Sequence, residues 1–189
     1  NYPLVSMKQT SYFPRKRWMY VSVFLFCSLV GIAGAEAANR YWIGYRTGNT
    51  QFENTINWSA TLNGAGGETV PGVDDLAIMT YNLSGSALTT IRIRSNRSVK
   101  GIILNQVWTG SLLLGTGSIT VGTNGVRMGS GRIIGGTGSL AIAGAFTQTG
   151  GILRSGNTPM TISGSVAITG STAKFTSTGT IVLDGTTQT

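Results

Sequence analysis

The chain of 189 residues carries 14 Lys and Arg against 6 Asp and Glu, a formal net charge of +8, with one Cys and no His. The lack of His excludes His-based nucleophilic triads and His metal sites, and a single Cys excludes a disulfide framework or a multi-Cys zinc site within this sequence. Because 41% of the residues are hydrophobic and 11% are charged, the composition predicts a folded chain rather than charge-driven disorder.

The first 37 residues have the pattern of a secretory signal peptide. Lys8 and the basic run 15–17 precede an apolar stretch, 18–35, and the segment ends in a small-x-small pattern, Ala35-Glu36-Ala37. We predict cleavage after Ala35 or Ala37, so that the membrane is met only during export and the mature protein is secreted or displayed on the cell surface. A membrane anchor is the alternative, but spanning needs about 20 apolar residues, and the end of this stretch is rich in Gly and Ala.

Residues 38–85 are rich in turn signals and show no helical periodicity, so we predict an irregular aromatic cap. Within this region, Val70–Asp75 is typical of a turn, and Leu76–Met79 has the short apolar run of a buried strand. The aromatic residues of the region are Tyr41, Trp42, Tyr45, Phe52, Trp58 and Tyr81.

A basic cluster follows at Arg92, Arg94, Arg97 and Lys100. A patch for an anionic surface is one interpretation of it. The alternation of apolar and polar residues in Ile91–Arg94 is that of a half-buried strand and favours the other interpretation, a solvated strand face. No aromatic residues are interleaved with these cations, so the pattern does not indicate nucleic-acid binding.

From residue 86 onwards, short aliphatic runs alternate with glycines. Between Gly110 and Thr189, 18 residues are Gly and 25 are Ser or Thr. One template (Gly, Ser or Thr, apolar, any, apolar, any, Gly) recurs at 138–144, 164–170 and 179–185, with a shortened copy at 117–122. A second template, Phe-Thr-x-Thr-Gly-x followed by two apolar residues, recurs at 146–153 and 175–182.

Each template predicts a short strand with two inward apolar side chains, closed by Gly at a bend. Such strands bury a face only when copies stack above and below, so we predict a β-solenoid over residues 86–189, with four or five coils of about 20–28 residues. The uneven spacing of the copies is interpreted as loop insertion at coil corners. Because no polar cap closes the last pattern, we expect the sequence to be the N-terminal part of a longer protein. A flexible Gly/Ser spacer is the alternative to a solenoid.

The aromatic head contains the motifs Tyr41-Trp42-Ile43-Gly44, Thr47-Gly48-Asn49, Asn57-Trp58-Ser59 and Val70–Asp75. Together with the Phe-Thr-x-Thr-Gly repeats, these motifs resemble the N-terminal region of large bacterial secreted surface proteins with autotransporter-type or adhesin-type repeats. The resemblance covers most of residues 39–189 and departs from the expected Gly at Tyr45 and Arg46. It implies an all-β, right-handed parallel β-helix with an N-terminal cap and no single activity.

Two pairs of residues are candidate sites. Trp42 and Trp58 offer aromatic faces for sugar stacking, but the need of a solenoid for a covered end favours a plug over the open end of the first coil. Asp74 and Asp75 are candidate Ca²⁺ ligands, but Ca²⁺ takes six to eight oxygens and few other carboxylates lie nearby, which favours a simple turn.

Residues 101–189 contain one carboxylate, Asp184, whereas polysaccharide-cleaving β-helices need carboxylates paired across coils or a bound metal. We therefore expect no catalytic residue, no cofactor and no enzymatic activity here. The predicted function is a non-catalytic exported solenoid, an adhesin or structural stalk, with cell-surface glycans or other cells as partners and no nucleic acid. The alternative is the start of an extracellular polysaccharide-degrading β-helix enzyme whose active site lies beyond residue 189.

Overall fold

The computed structural model describes residues 37–44, 48–80 and 90–185, which belong to one compact unit, Ala37–Thr189. The signal peptide predicted up to Ala37 lies, but for that last residue, outside the described residues, as do Tyr45, Arg46 and Tyr81. The described chain winds into a parallel β-solenoid of about five turns. The all-β solenoid prediction is confirmed, and the flexible spacer is excluded.

A complete coil contributes strand segments to three faces, which are called face 1, face 2 and face 3. Face 3 is a separate five-stranded parallel sheet. Its strands are β4 (Thr90–Ile93), β6 (Ser111–Leu114), β8 (Arg132–Ile134), β11 (Ile152–Gly156) and β14 (Lys174–Ser177).

Faces 1 and 2 belong to one ten-stranded sheet, because two long strands, β5 (Arg97–Leu104) and β7 (Ile119–Met128), run through both. Face 1 continues from their first halves through β9 (Leu140–Ile142), β12 (Met160–Ile162) and β15 (Ile181–Leu183). Face 2 joins their second halves to β3 (Leu76–Met79), β10 (Phe146–Gln148) and β13 (Val166–Ile168). The remaining strands, β1 (Asn39–Trp42) and β2 (Trp58–Ser59), lie at the N-terminal edge of this sheet.

The register gives an even coil length. On face 3, Ile91 pairs with Leu112, Leu112 with Ile133, Ile133 with Leu153, and Leu153 with Phe175. These partners are 20 to 22 residues apart, within the predicted range. Because the same inward position recurs in every coil, the apolar side chains form continuous columns inside the stack.

The repeated templates mark strands but do not mark the coil period. The copy at 164–170 contains β13 on face 2, whereas the copies at 138–144 and 179–185 contain β9 and β15 on face 1. The face 1 strand between them is β12, which the template misses. The uneven spacing was therefore misinterpreted, since it compares strands on different faces.

The two copies of the second template also lie on different faces. Phe146 lies in the inward column of face 2, between Val126 and Val166, whereas Phe175 lies in the inward column of face 3 beside Leu153. The two phenylalanines still meet inside the stack, with ring centroids 6.0 Å apart. Their similar surroundings in sequence reflect the same local pattern, a strand that leads into a Gly bend, at two different places in the coil.

Glycine corners let successive coils approach closely. A Cβ on Gly136 would collide with the carbonyl oxygen of Leu114 in the preceding coil. Gly125 adopts φ +64°, a left-handed conformation that favours glycine, and a Cβ there would collide with the carbonyl oxygen of Ala145. At these two corners, glycine is therefore required by the backbone-to-backbone contact between coils.

A buried aromatic cluster lies near the N-terminal end of the solenoid. Trp58 contacts Trp42 and Phe52 edge-to-face, with ring centroids 5.2 Å and 4.9 Å away, and its Nε1 donates to the Phe52 carbonyl oxygen at 2.7 Å. The predicted strand Leu76–Met79 is confirmed as β3, and it pairs in register with β5. The ten-stranded sheet therefore begins within the segment assigned to the cap from sequence.

Candidate functional site

The cap covers the N-terminal edges of two faces. On face 3, the segment 50–52 lies along β4, because Arg92 N–H donates to the Thr50 carbonyl at 2.7 Å and Phe52 N–H donates to the Arg92 carbonyl at 2.9 Å. On the ten-stranded sheet, β1 pairs parallel with β3, and β2 closes the edge by pairing antiparallel with β1. Edge amides that would otherwise be open are thereby paired.

Both tryptophan candidates are part of this cap. Trp58 is fully buried and Trp42 is 4% exposed, and each packs against the other. Sugar stacking needs an indole face that is open to solvent. The burial of these side chains therefore supports the favoured interpretation, in which they plug the first coil.

The aspartate candidates have different surroundings. Asp75 is half-buried, and its two carboxylate oxygens accept from Ala38 N–H at 3.1 Å and Gly72 N–H at 2.9 Å. Asp74 is exposed. Among the residues that the structure describes, no group of three or more Asp, Glu, Cys or His is placed to hold a metal ion. The geometry around Asp75 is that of a turn leading into β3, which is the simpler of the two interpretations.

The basic cluster read from the sequence does not form one patch. Arg92 points outward on face 3, because Ile91 and Ile93 on either side of it are buried. Arg94 is exposed at the following corner, whereas Arg97 and Lys100 are half-buried on β5. Neighbours in sequence have been distributed over different faces by the bend between β4 and β5.

Face 3 gathers cations that are far apart in sequence, and Arg92 is the one member of the sequence cluster among them. Its outward positions form two columns, one on each side of the buried middle column. Four of the ten positions are basic and none is acidic. The first column is Thr90, Ser111, Arg132, Ile152 and Lys174, and the second is Arg92, Leu113, Ile134, Arg154 and Thr176.

A groove lies in the middle of this outer surface of face 3. Its volume is about 400 Å³, and it is lined by Arg132, Ile134, Ile152 and Arg154. The two arginines sit in neighbouring coils and in opposite columns, so they flank the two isoleucines diagonally. Sequence reasoning missed this site, because the four residues align only after the coil length of 20 to 22 residues is known.

Face 1, in contrast, has an uncharged outward column. Its outward column consists of Ser98, Thr120, Ala141, Thr161 and Val182, which are all small or medium-sized and uncharged. The positive charge of the stack is therefore concentrated on particular faces and is not spread evenly around each coil.

No protein-family model, curated protein or solved structure matches the chain. The resemblance to bacterial surface proteins and the right-handed coiling that it implies therefore stay predictions.

Within 37–44, 48–80 and 90–185, no helix has the length and hydrophobicity needed to cross a bilayer.

Proposed function

We propose that this chain is a non-catalytic, exported β-solenoid that acts at the cell surface or outside the cell as an adhesin-like module or structural stalk. The observation that supports the proposal most is the uninterrupted stacking of about five coils around apolar columns. Such a stack transmits load through backbone hydrogen bonds and apolar contacts in every coil, which suits a rod that projects other parts of a surface protein.

The placement of the carboxylates supports a non-catalytic role. Glu53 Oε1 accepts from the backbone N–H groups of Arg94 and Ser95 at 2.7 Å and 2.9 Å, and Glu68 pairs with Arg40 at 2.9 Å. Asp75 holds the turn before β3. Three of the five carboxylates in the described part of the chain thus have a structural task in the cap, and hydrolysis of a glycosidic bond requires a pair that is free to transfer protons.

Export is tested by fusing residues 1–37 to an alkaline phosphatase that is active only after translocation. We expect phosphatase activity in a bacterial host, with loss of activity when Arg15, Lys16 and Arg17 are all replaced by Glu, because the basic segment orients a signal peptide. An inactive fusion that accumulates in the cytoplasm would contradict the export part of the proposal.

The absence of catalysis is tested on the purified full chain. We expect no release of reducing ends and no unsaturated products from a panel of neutral and acidic polysaccharides. Measurable turnover by this chain would instead favour the polysaccharide-degrading enzyme.

A further inference from the structure

The outer surface of face 3 concentrates positive charge from separate coils. Arg132, Arg154 and Lys174 come from three successive strands and alternate between the two outward columns. With about 4.8 Å between coils and about 6.7 Å between alternate residues of a strand, this zigzag has steps of roughly 8 Å. The three cations therefore form a regular line along the axis of the stack.

No carboxylate neutralises that line within the described residues. Both ion pairs among the described residues are formed by Arg40, which lies in the cap and outside this line. Glu53 lies beside the end of β4, near Arg92 and away from the three cations. Its Oε1 accepts hydrogen bonds from the backbone N–H groups of Arg94 and Ser95. The middle and the far end of the outer surface thus keep their positive potential, which attracts anionic ligands.

The groove between the arginines adds an apolar floor to this charge. Ile134 and Ile152 are half-buried at its base, and Leu113 continues the apolar surface in the preceding coil. An arginine guanidinium presents a planar fork that matches a carboxylate in a bidentate geometry. Aliphatic side chains between two such forks provide a surface for the C–H groups of a sugar ring.

We propose that the outer surface of face 3 binds an acidic polysaccharide that lies along the stack, with Arg132, Arg154 and Lys174 contacting its carboxylates and Ile134 and Ile152 contacting its sugar rings. The line of charges fits a polymer whose anions recur at regular steps. A single-stranded nucleic acid fits less well, because its bases need aromatic platforms, and none of the ten outward positions of this face is aromatic. This inference deepens the proposed function and rests on it for the setting in which the ligand would be met.

The test measures binding of the purified full chain to immobilised alginate, a polyuronate, with dextran as the neutral control. We expect saturable binding to alginate that weakens as NaCl is raised from 20 to 300 mM, and no binding to dextran. The double variant Arg132→Gln/Arg154→Gln should raise the Kd at least tenfold, since each arginine supplies charge-assisted hydrogen bonds.

The matched control is Arg94→Gln/Arg127→Gln, which removes two exposed arginines of the same solenoid that lie outside the groove. We expect its Kd to change less than threefold, and both double variants to keep the circular dichroism spectrum of the parent. Equal losses in the two double variants would show attraction by net charge alone and overturn the inference, as would no loss in either. Equal or tighter binding of a single-stranded oligonucleotide would overturn the choice of polysaccharide.

These outcomes separate the inference from the proposed function. Alginate binding with release of reducing ends would leave the binding surface intact and contradict the non-catalytic role. No binding, together with export of the 1–37 fusion and no turnover, would overturn the binding surface and leave the proposed stalk or adhesin standing.

Discussion

The two ends of the solenoid are finished in different ways. At the N-terminal end, β2 and the segment 50–52 pair with the outer strands, and Trp58 fills the space beneath them. At the other end, β13, β14 and β15 have no strand beyond them among the described residues, and their side chains become exposed. The inward residues Ile168 and Leu183 are 44% and 49% exposed.

The comparison shows that identical strand chemistry has a different energetic value at each position in the stack. An inward aliphatic residue in a middle coil is covered from both sides, whereas the same residue in the last coil is covered from one side. Because the hydrophobic contribution scales with the area removed from water, substitutions should cost most at the capped end and in the middle, and least in the last coil.

The largest effect is expected for Trp58→Ala. This change removes a fully buried indole, two aromatic contacts and the hydrogen bond to Phe52, so the free energy of unfolding should fall by about 3–5 kcal/mol. Urea unfolding of the full chain followed by circular dichroism measures the change. Trp58→Phe, which keeps most of the volume, should lose clearly less, and a loss below about 1 kcal/mol for Trp58→Ala would show that the cap is not coupled to the stack.

A pair of phenylalanine substitutions compares the middle with the last coil. Phe146 is fully buried, so Phe146→Ala should lower the free energy of unfolding by about 3–5 kcal/mol. Phe175 is half-buried, so Phe175→Ala should lower it by about 2 kcal/mol. The same urea titration serves for both variants. Equal costs would mean that the last coil is as well covered as the middle.

The hydrogen bonds of Glu53 to the bend between β4 and β5 are tested by Glu53→Gln. Its Oε1 accepts three hydrogen bonds, from Arg94 N–H, Ser95 N–H and Ser95 Oγ–H, so we expect a loss of about 1–2 kcal/mol. Glu68→Gln is the control, because Glu68 makes a partly exposed ion pair with Arg40 that is worth at most about 1 kcal/mol. Thermal unfolding ranks the two variants, and the reverse order would contradict the role of Glu53.

The smallest effect is expected for Val182→Thr in the last coil. Val182 is 45% exposed, so the added hydroxyl stays hydrated and the stability should change by less than about 0.5 kcal/mol. Val126→Thr makes the same chemical change at a fully buried position of face 2 and should cost about 1–3 kcal/mol. Because Val182 points outward on face 1 and Val126 points inward on face 2, the difference in urea midpoint between the two variants measures how strongly the interior of the stack excludes a polar group.

The sequence predicted strands well and faces poorly. Local alternation is enough to mark Ile91–Arg94 or Leu76–Met79 as strands, because a half-buried or buried strand imposes its pattern within four residues. The face on which a strand lies depends on the coil length, which is a property of the whole chain. The copy at 164–170 therefore misled the assignment of the period, although it does contain a strand.

The candidate site was hidden for the same reason. Arg132 and Arg154 are 22 positions apart, and nothing in their immediate neighbours distinguishes them from Arg94 or Arg127. Register brings them to the same groove, whereas the obvious cluster at 92–100 is divided by a bend. The plug formed by Trp42 and Trp58 was favoured from sequence because a solenoid needs a covered end, whereas composition alone suits a surface platform and a plug alike.

The even coil has a consequence for how this molecule can vary in length. Removing one residue inside a strand exchanges its inward and outward side chains and places polar groups in the apolar columns. Removing 21 residues, from Leu112 up to but not including its equivalent Ile133, would join two ends that already share a register, and it would shorten the rod by about 4.8 Å. Unequal recombination between coils produces such changes, so the reach of this solenoid can be adjusted in whole steps without redesigning its interior.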